Sequence, residues 1–246
     1  MAEIWYRAGT VAPYFCFNSS DMMLLQRVTS KQLIDLHIWD LERVIDLKEV
    51  ENLELRTKRE LCSLTLKWTS TGVCAKTKKH NKAVLEKLQP HNGLEILRME
   101  NYAGDDMPDW TPLLPKLVKL ELHGVQLKRL HLDQFQYESV VSLQREIQTC
   151  HFESGLEVLH LSHIESLQTN QPVCIECSQP LRKLQRIVMS GINNQELKIS
   201  MQGGEGDEDL FPGLQHLEMV VCENLRFQPS IPRSAKYIIS GIIEFD

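Results

Sequence analysis

The sequence predicts an α/β solenoid, curved, with short parallel strands side by side on a concave face and loops and short helices on the convex face. Two observations predict it. An apolar frame, L-x-x-L-x-L, recurs along the chain, in which 35 of 246 residues are leucine. The frame also returns at spacings close to those of stacked repeats.

The frame first appears as Leu33-Leu36-Ile38, Leu61-Leu64-Leu66 and Leu94-Leu97-Met99. It continues as Leu117-Leu120-Leu122, Leu127-Leu130-Leu132 and Leu156-Leu159-Leu161. It returns as Leu184-Ile187-Met189 and Leu214-Leu217-Met219, with a degenerate last copy read at Ala235-Ile238. This is the strand pattern of leucine-rich repeats. The last two frame residues are two apart, so they point to one face of a short strand. The first enters the core from the preceding turn. One unit cannot bury its apolar face alone, and stacking the units gives a parallel sheet over a continuous core.

The central positions are 36, 64, 97, 120, 130, 159, 187, 217 and 238, so successive differences are 28, 33, 23, 10, 29, 28, 30 and 21. Most lie near the expected spacing of about 20–29 residues. No repeat closes in ten. Either one of the two frames around Leu120 and Leu130 is not a repeat strand, or a piece of a repeat is missing near 122–127. The repeat domain is taken as 31–246. Residues 1–30 do not fit the frame and form a non-repeat N-terminal segment or cap.

The connecting segments follow the same logic. NKAVLEKLQ (81–89) places Val84, Leu85 and Leu88 on one helical face, and Pro90 stops the helix. ESVVSLQREIQ (138–148) places Val140, Leu143 and Ile147 on one face, with Ser139 as N-cap. Prolines in MPDW (107–110), TPLLP (111–115) and FPGL (211–214) suit extended entry into a strand. QGGEGDED (202–209) reads as a solvated loop.

Composition narrows the function. Hydrophobic residues make up 42% and charged residues 24%, as in an ordinary globular domain. The net charge of −6 argues against nucleic acid, because neutralising phosphates needs clustered Lys and Arg. No apolar stretch is long enough for a membrane span. The N-terminus carries Glu3, Arg7 and Pro13, which do not suit a secretion signal. Seven scattered cysteines point to a reducing compartment. Asn18-Ser19-Ser20 is a glycosylation sequon that matters only in a secreted chain.

Motifs of catalysis are absent. There is no phosphate loop G-x-x-x-x-G-K-[ST], nucleophile elbow, H-E-x-x-H or dinucleotide fingerprint. Cys174-Ile175-Glu176-Cys177 is half of a zinc site without a second pair, and free thiols are the expectation. Asp105, Asp106 and Asp109 read as a turn. The chain is therefore expected not to be an enzyme, with no cofactor and no metal.

What remains is the outer strand face. The residues assigned to it as a partner-binding surface are His37, Trp39, Lys67, Arg98, Glu100, Glu121, His123, His131, His160, Arg186 and Glu218. His131 and His160 belong to successive frames, so they are expected to stack about 4.8 Å apart behind Glu121. A solvated polar ladder is the simple reading; a metal or pH-sensitive site is the sharper one. Trp39 is either the anchor for a partner or a residue packed on its neighbouring strand.

These residues resemble the leucine-rich-repeat region of plant intracellular NB-ARC disease-resistance proteins of the coiled-coil class. In that family a strand is followed by LENV, a charged EA-x-x-ANL helix and an LxxLxLxW strand. Here LERV (41–44), EVENLELRTK (49–58) and LCSLTLKW (61–68) occupy those places. VLEKLQPHNGLEILRMENYAGDDMPDW (84–110) is similar to the family's VLEGLQPHxNLKxLxIxxYxGxxFPxW. LPKLVKLEL (114–122) and FPGLQHLEMVVCENL (211–225) match later repeats. The resemblance covers about residues 31–240. The chain departs from it in lacking the upstream nucleotide-binding module and the proline-rich turn before 127, and its first 25 residues match nothing expected.

The resemblance implies protein recognition in innate immunity, inside the cell, in the cytoplasm or the nucleus. The partner would be a pathogen effector or a guarded host protein. In such receptors the repeats also restrain the NB-ARC module, which this chain lacks. A substrate-recruiting adaptor of a ubiquitin ligase and a truncated remnant without its own function are the alternatives.

Overall fold

The computed structural model describes residues 4–7, 10–16, 33–69, 75–111, 114–127, 129–131, 136–137, 153–164, 173–177, 180–192, 197–201, 210–222, 225–227, 235–240 and 243–245. Its strands are β1 (Ile4–Arg7), β2 (Thr10–Cys16), β3 (Asp35–Trp39), β4 (Ser63–Lys67), β5 (Ile96–Glu100) and β6 (Lys119–His123). They continue as β7 (Arg129–His131), β8 (Gln136–Tyr137), β9 (Glu153–Ser154), β10 (Val158–Ser162), β11 (Val173–Cys177) and β12 (Arg186–Ser190). The last are β13 (Leu197–Met201), β14 (His216–Val220), β15 (Leu225–Phe227), β16 (Lys236–Ser240) and β17 (Ile243–Phe245).

Each frame but that at 127–132 forms one strand of an open sheet, ordered β1-β2-β3-β4-β5-β6-β10-β12-β14-β16. All its pairings are parallel except that of β1 with β2. The register keeps frame residues side by side: Leu36, Leu64, Leu97, Leu120, Leu159, Ile187 and Leu217 form one column. Ile38, Leu66, Met99, Leu122, Leu161, Met189 and Met219 form the next. Every one of these is at most 2% exposed. The first frame residues, from Leu33 to Leu214, are equally buried and fill the core behind the sheet. This is the leucine-rich-repeat solenoid that the frame predicts.

Two features repeat at the strand ends. Before most strands of the main sheet one carbonyl accepts two successive N–H groups of the next repeat, as Cys62 does from Glu95 and Ile96 and Glu157 from Gln185 and Arg186. After most strands the next residue takes a left-handed conformation: Asp40, Asn101, Gly124, His163, Gly191 and Val221, with φ from 48° to 62°. Their turns stack, the N–H of Asn101 reaching the carbonyl of His123 and that of Gly191 the carbonyl of Val220. At Gly191 a Cβ would strain the left-handed backbone and lie 2.7 Å from the ring of the exposed His163, which would have to turn aside.

The spacing of ten resolves in the topology. Leu120 lies on β6 and Leu130 on β7, and β7 belongs to a second, three-stranded sheet ordered β13-β11-β7. The frame at 127–132 is thus not a strand of the main sheet. β6 pairs directly with β10, so one long repeat runs from Leu120 to Leu159. Leu127 and Leu130 are still buried at 2%, because a back strand can serve the same core as a front one. His131 leaves the expected surface with its strand: it pairs with Glu176 of β11, and the expected stack of His131 on His160 does not form. The last copy also shifts by one. Tyr237, not Ile238, stands opposite Leu217.

The back of the solenoid changes along the chain. Behind the first repeats lie a short helix, Leu47–Glu51, and a long one, Ala75–Lys87. Asp46 caps the short helix by accepting from the Lys48 N–H at 2.9 Å. The long helix starts six residues before the predicted 81 and ends ahead of Pro90, with Val84, Leu85 and Leu88 fully buried. Asp105 and Asp109 face it, at 2.6 Å from Lys78 and 3.9 Å from Lys82, as a turn against a helix rather than an acid/base site. The Trp110 indole donates to the Leu85 carbonyl. Behind the later repeats β7, β11 and β13 pair in parallel, with the C-x-x-C inside β11. The helix expected over 138–148, the loop at 202–209 and the sequon lie outside the described residues. At the N-terminal end β2 pairs with β3, Tyr14 opposite His37 and Phe15 opposite Ile38.

Candidate functional site

Strand alternation sends every second residue of the sheet away from the core. Three outward columns result, and the register defines them. One runs Asp35, Ser63, Ile96, Lys119, Val158, Arg186 and His216. The middle one runs His37, Thr65, Arg98, Glu121, His160, Val188 and Glu218. The third begins at Trp39 and Lys67 and continues through Glu100, His123, Ser162, Ser190 and Val220. Ten of the eleven residues expected on this face lie on it; His131 is the exception.

Neighbouring columns lock together over β3 to β10. The Lys67 ammonium lies 5.0 Å from the centroid of the Trp39 ring, so Trp39 is both half-buried by its neighbour and part of the open face. Lys67 also pairs with Glu100 at 2.9 Å, and Arg98 with Glu100 at 2.8 Å. Glu121 is met by Arg98 at 3.9 Å, by Lys119 at 3.0 Å and by His160 at 3.5 Å. His123 bonds through Nδ1 to the Ser162 hydroxyl, and its ring meets that of His160 edge-on at 4.7 Å. At the near end Asp35 and His37 pair at 3.3 Å, and further along Arg186 meets Glu218 at 3.3 Å.

This packing sets the charge states. The hydrogen bond from His160, then Lys119 and Arg98, hold the Glu121 carboxyl down at about 2 against the effect of burial. Burial pushes Glu100 up, but the hydrogen bond from Lys67 and the charge of Arg98 outweigh it and leave it low. Asp35 behaves likewise, burial being outweighed by its bonds to His37 and Ser63. Burial is the main force on His123, helped by the nearby charges of Arg98 and His160. Together they bring it down to about 4, a neutral imidazole at pH 7.

Lys119 is the residue that sequence reasoning overlooked. The frame itself could have found it, since it stands two positions before Glu121 on the outward side. One atom each of Glu121, His123 and His160 lies within 4.8 Å of the others, a grouping that joins two strands 37 residues apart in sequence. Chemically the face offers ordered cations, carboxylates and imidazoles beside an aromatic ring. Among the described residues, its one hydroxyl held against an imidazole, that of Ser162 beside His123, is buried.

Comparison with known proteins now adds to this geometry. A family profile described as R13L1/DRL21 LRRs matches residues 24–146. The chain is 28% identical over 213 residues to disease resistance RPP13-like protein 1 of Arabidopsis thaliana, covering 78% of this chain. It is 29% identical over 93 residues to disease resistance protein RGA1 of Solanum bulbocastanum, covering 37% of this chain. The chain spans 18% and 9% of the length of these two relatives. No solved structure matches it. Among the described residues no helix is long and apolar enough to cross a membrane.

Proposed function

The chain belongs to the R13L1/DRL21 leucine-rich-repeat family, whose repeats are homologous to those of plant disease-resistance proteins, and from that premise we propose that its open sheet face recognises a protein in plant immunity. The partner is a pathogen effector or a host protein that such a receptor guards. Within a full-length receptor, the same repeats would restrain the nucleotide-binding module. Recognition proceeds by surface complementarity, without turnover.

The observation that carries the reading is the ordered run from Trp39 to His160. Side chains already held by neighbours lose less freedom when a partner arrives. Arg98 and Trp39 are residue types that dominate binding energy at interfaces. Repeat solenoids present such extended surfaces for proteins. The charges of Lys67, Arg98, Glu100 and Glu121 would set register and exclude wrong partners.

The test pairs the purified chain with a panel of effectors and host proteins, followed by calorimetry on any binder. Trp39→Ala and Arg98→Glu should each weaken binding by about 2 kcal/mol or more. Lys87→Glu, on the opposite side of the solenoid, should leave it unchanged. A binder sensitive to Lys87→Glu and indifferent to the two front substitutions would refute this face as the recognition surface.

A further inference from the structure

We propose that Glu121, His123 and His160 form a binding site for a divalent transition-metal ion, zinc being the best chemical fit, at the middle of the open sheet face. The inference goes beyond protein recognition and stands on separate observations. Glu121 and His123 are two apart on β6 and so share a face. His160 is the register partner of Glu121 on β10. The three donors therefore come from adjacent positions of one hydrogen-bonded sheet, a rigid platform.

The distances suit an ion. One ligating atom from each residue lies within 4.8 Å of the other two. A tetrahedral zinc with bonds of about 2.0–2.1 Å holds its donors about 3.3 Å apart. Side-chain rotation closes that gap without moving the backbone. Two imidazoles and one carboxylate are a known zinc donor set, and they leave the fourth position for water or a partner's ligand.

His123 supplies the second, independent sign. Its Nε2 is buried and has no hydrogen-bond partner. Buried polar nitrogens are rarely left so, because an unmade bond is unfavourable. Its other nitrogen is held by the Ser162 hydroxyl, which orients the ring as the outer partner of a metal-bound histidine does. A metal on Nε2 would satisfy the remaining atom.

The surroundings make a sharp demand. Lys119 and Arg98 bear on Glu121 at 3.0 and 3.9 Å, and both compete with a cation. Glu100 stands beside His123 on β5, where Arg98 and, from β4, Lys67 engage it. The Lys119 side chain is 37% exposed and is free to turn to solvent when an ion takes its place. Removing its charge should therefore tighten metal binding, a result that no purely structural role for this cluster predicts.

The experiment titrates the full chain, first stripped with chelator, with zinc in calorimetry and with cobalt in visible absorption. One ion per chain is expected, with the intense visible bands of tetrahedral cobalt. His123→Asn, His160→Asn and Glu121→Gln should each weaken binding at least about tenfold. Lys119→Ala should strengthen it severalfold, and His216→Asn, two strands beyond His160, should leave it unchanged. Absence of saturable binding overturns the proposal. So does binding that survives His160→Asn, or that falls equally in His216→Asn. If the variants fold poorly, the unsubstituted chain decides by itself: weak octahedral cobalt bands refute the site.

Discussion

The front half of the sheet, β3 to β6, and the rear half, β10 to β16, share one frame and one core but not one exterior. In front, outward positions hold Lys67, Arg98, Glu100, Lys119 and Glu121, each within 4 Å of an oppositely charged neighbour. In the rear, Val158, Val188, Val220 and Ile238 take outward positions, and Arg186 pairs with Glu218. The backs differ as well: helices behind the front repeats, parallel strands behind the rear ones. The inward frame is therefore a constraint of stacking, while the outward columns and the convex side vary without breaking it. A surface that varies on an invariant scaffold is what recognition requires.

The largest test of that comparison is in the core. Leu97→Ala in the front half should cost about 2–5 kcal/mol, read by urea denaturation. Leu217→Ala should fall at the low end of that range. Its neighbour β16 ends the sheet with Ile239 36% exposed, so the cavity can collapse or fill with water. Equal losses would show that the rear core is packed as firmly as the front.

Acid should act next, and on the junction of the halves. Glu121 titrates near 2 when folded against an ordinary 4.5, so its contribution is complete above pH 4.5 and lost as pH falls towards 2. His123 titrates near 4 against an ordinary 6.5. The unfolded chain then takes up its proton first, and stability falls as pH drops from 6.5 to 4. Each is worth about 1–2 kcal/mol once solvent screening is allowed for. Thermal melts in chelator should show both steps, and His123→Gln should erase the upper one. A melt that stays flat between pH 6.5 and 4 would mean His123 is not held neutral by burial.

A smaller gain is expected at the rear turn. Val221 is β-branched yet left-handed, with φ 52°. Val221→Gly should stabilise the chain by about 0.5–1 kcal/mol, relief of strain exceeding the entropy that glycine adds to the unfolded state. A loss of stability would show that Val221, 56% exposed, packs more usefully than its conformation costs. The smallest effect is at Arg186, 52% exposed in its pair with Glu218. Arg186→Gln should change stability by less than about 0.5 kcal/mol, since exposed ion pairs contribute little.

The core was readable from residue order almost throughout, because burial in a stacked repeat follows a local period. Ten of the eleven surface residues followed from the same alternation. The failures share one cause. L-x-x-L-x-L describes any short strand that buries one side, so Leu127-Leu130-Leu132 satisfies it as well as a front strand does. Which sheet β7 joins depends on whether its backbone bonds to β6 or to β11, and that is a long-range choice. The shift at Tyr237 is of the same kind: a weak frame leaves register to the neighbouring strand.

By itself, the order of residues determined that this chain stacks repeats, which leucines fill the core, and which positions must face outward. Those properties follow from periods of a few residues and from the need of each unit to bury its apolar side. The tertiary structure decided what meets on the surface. It brought Glu121 and His123 beside His160 by closing a repeat of 39 residues between Leu120 and Leu159, and placed the strand of His131 in a second sheet. Pairings between strands are chosen by backbone hydrogen bonds across distant segments, and no local period records them.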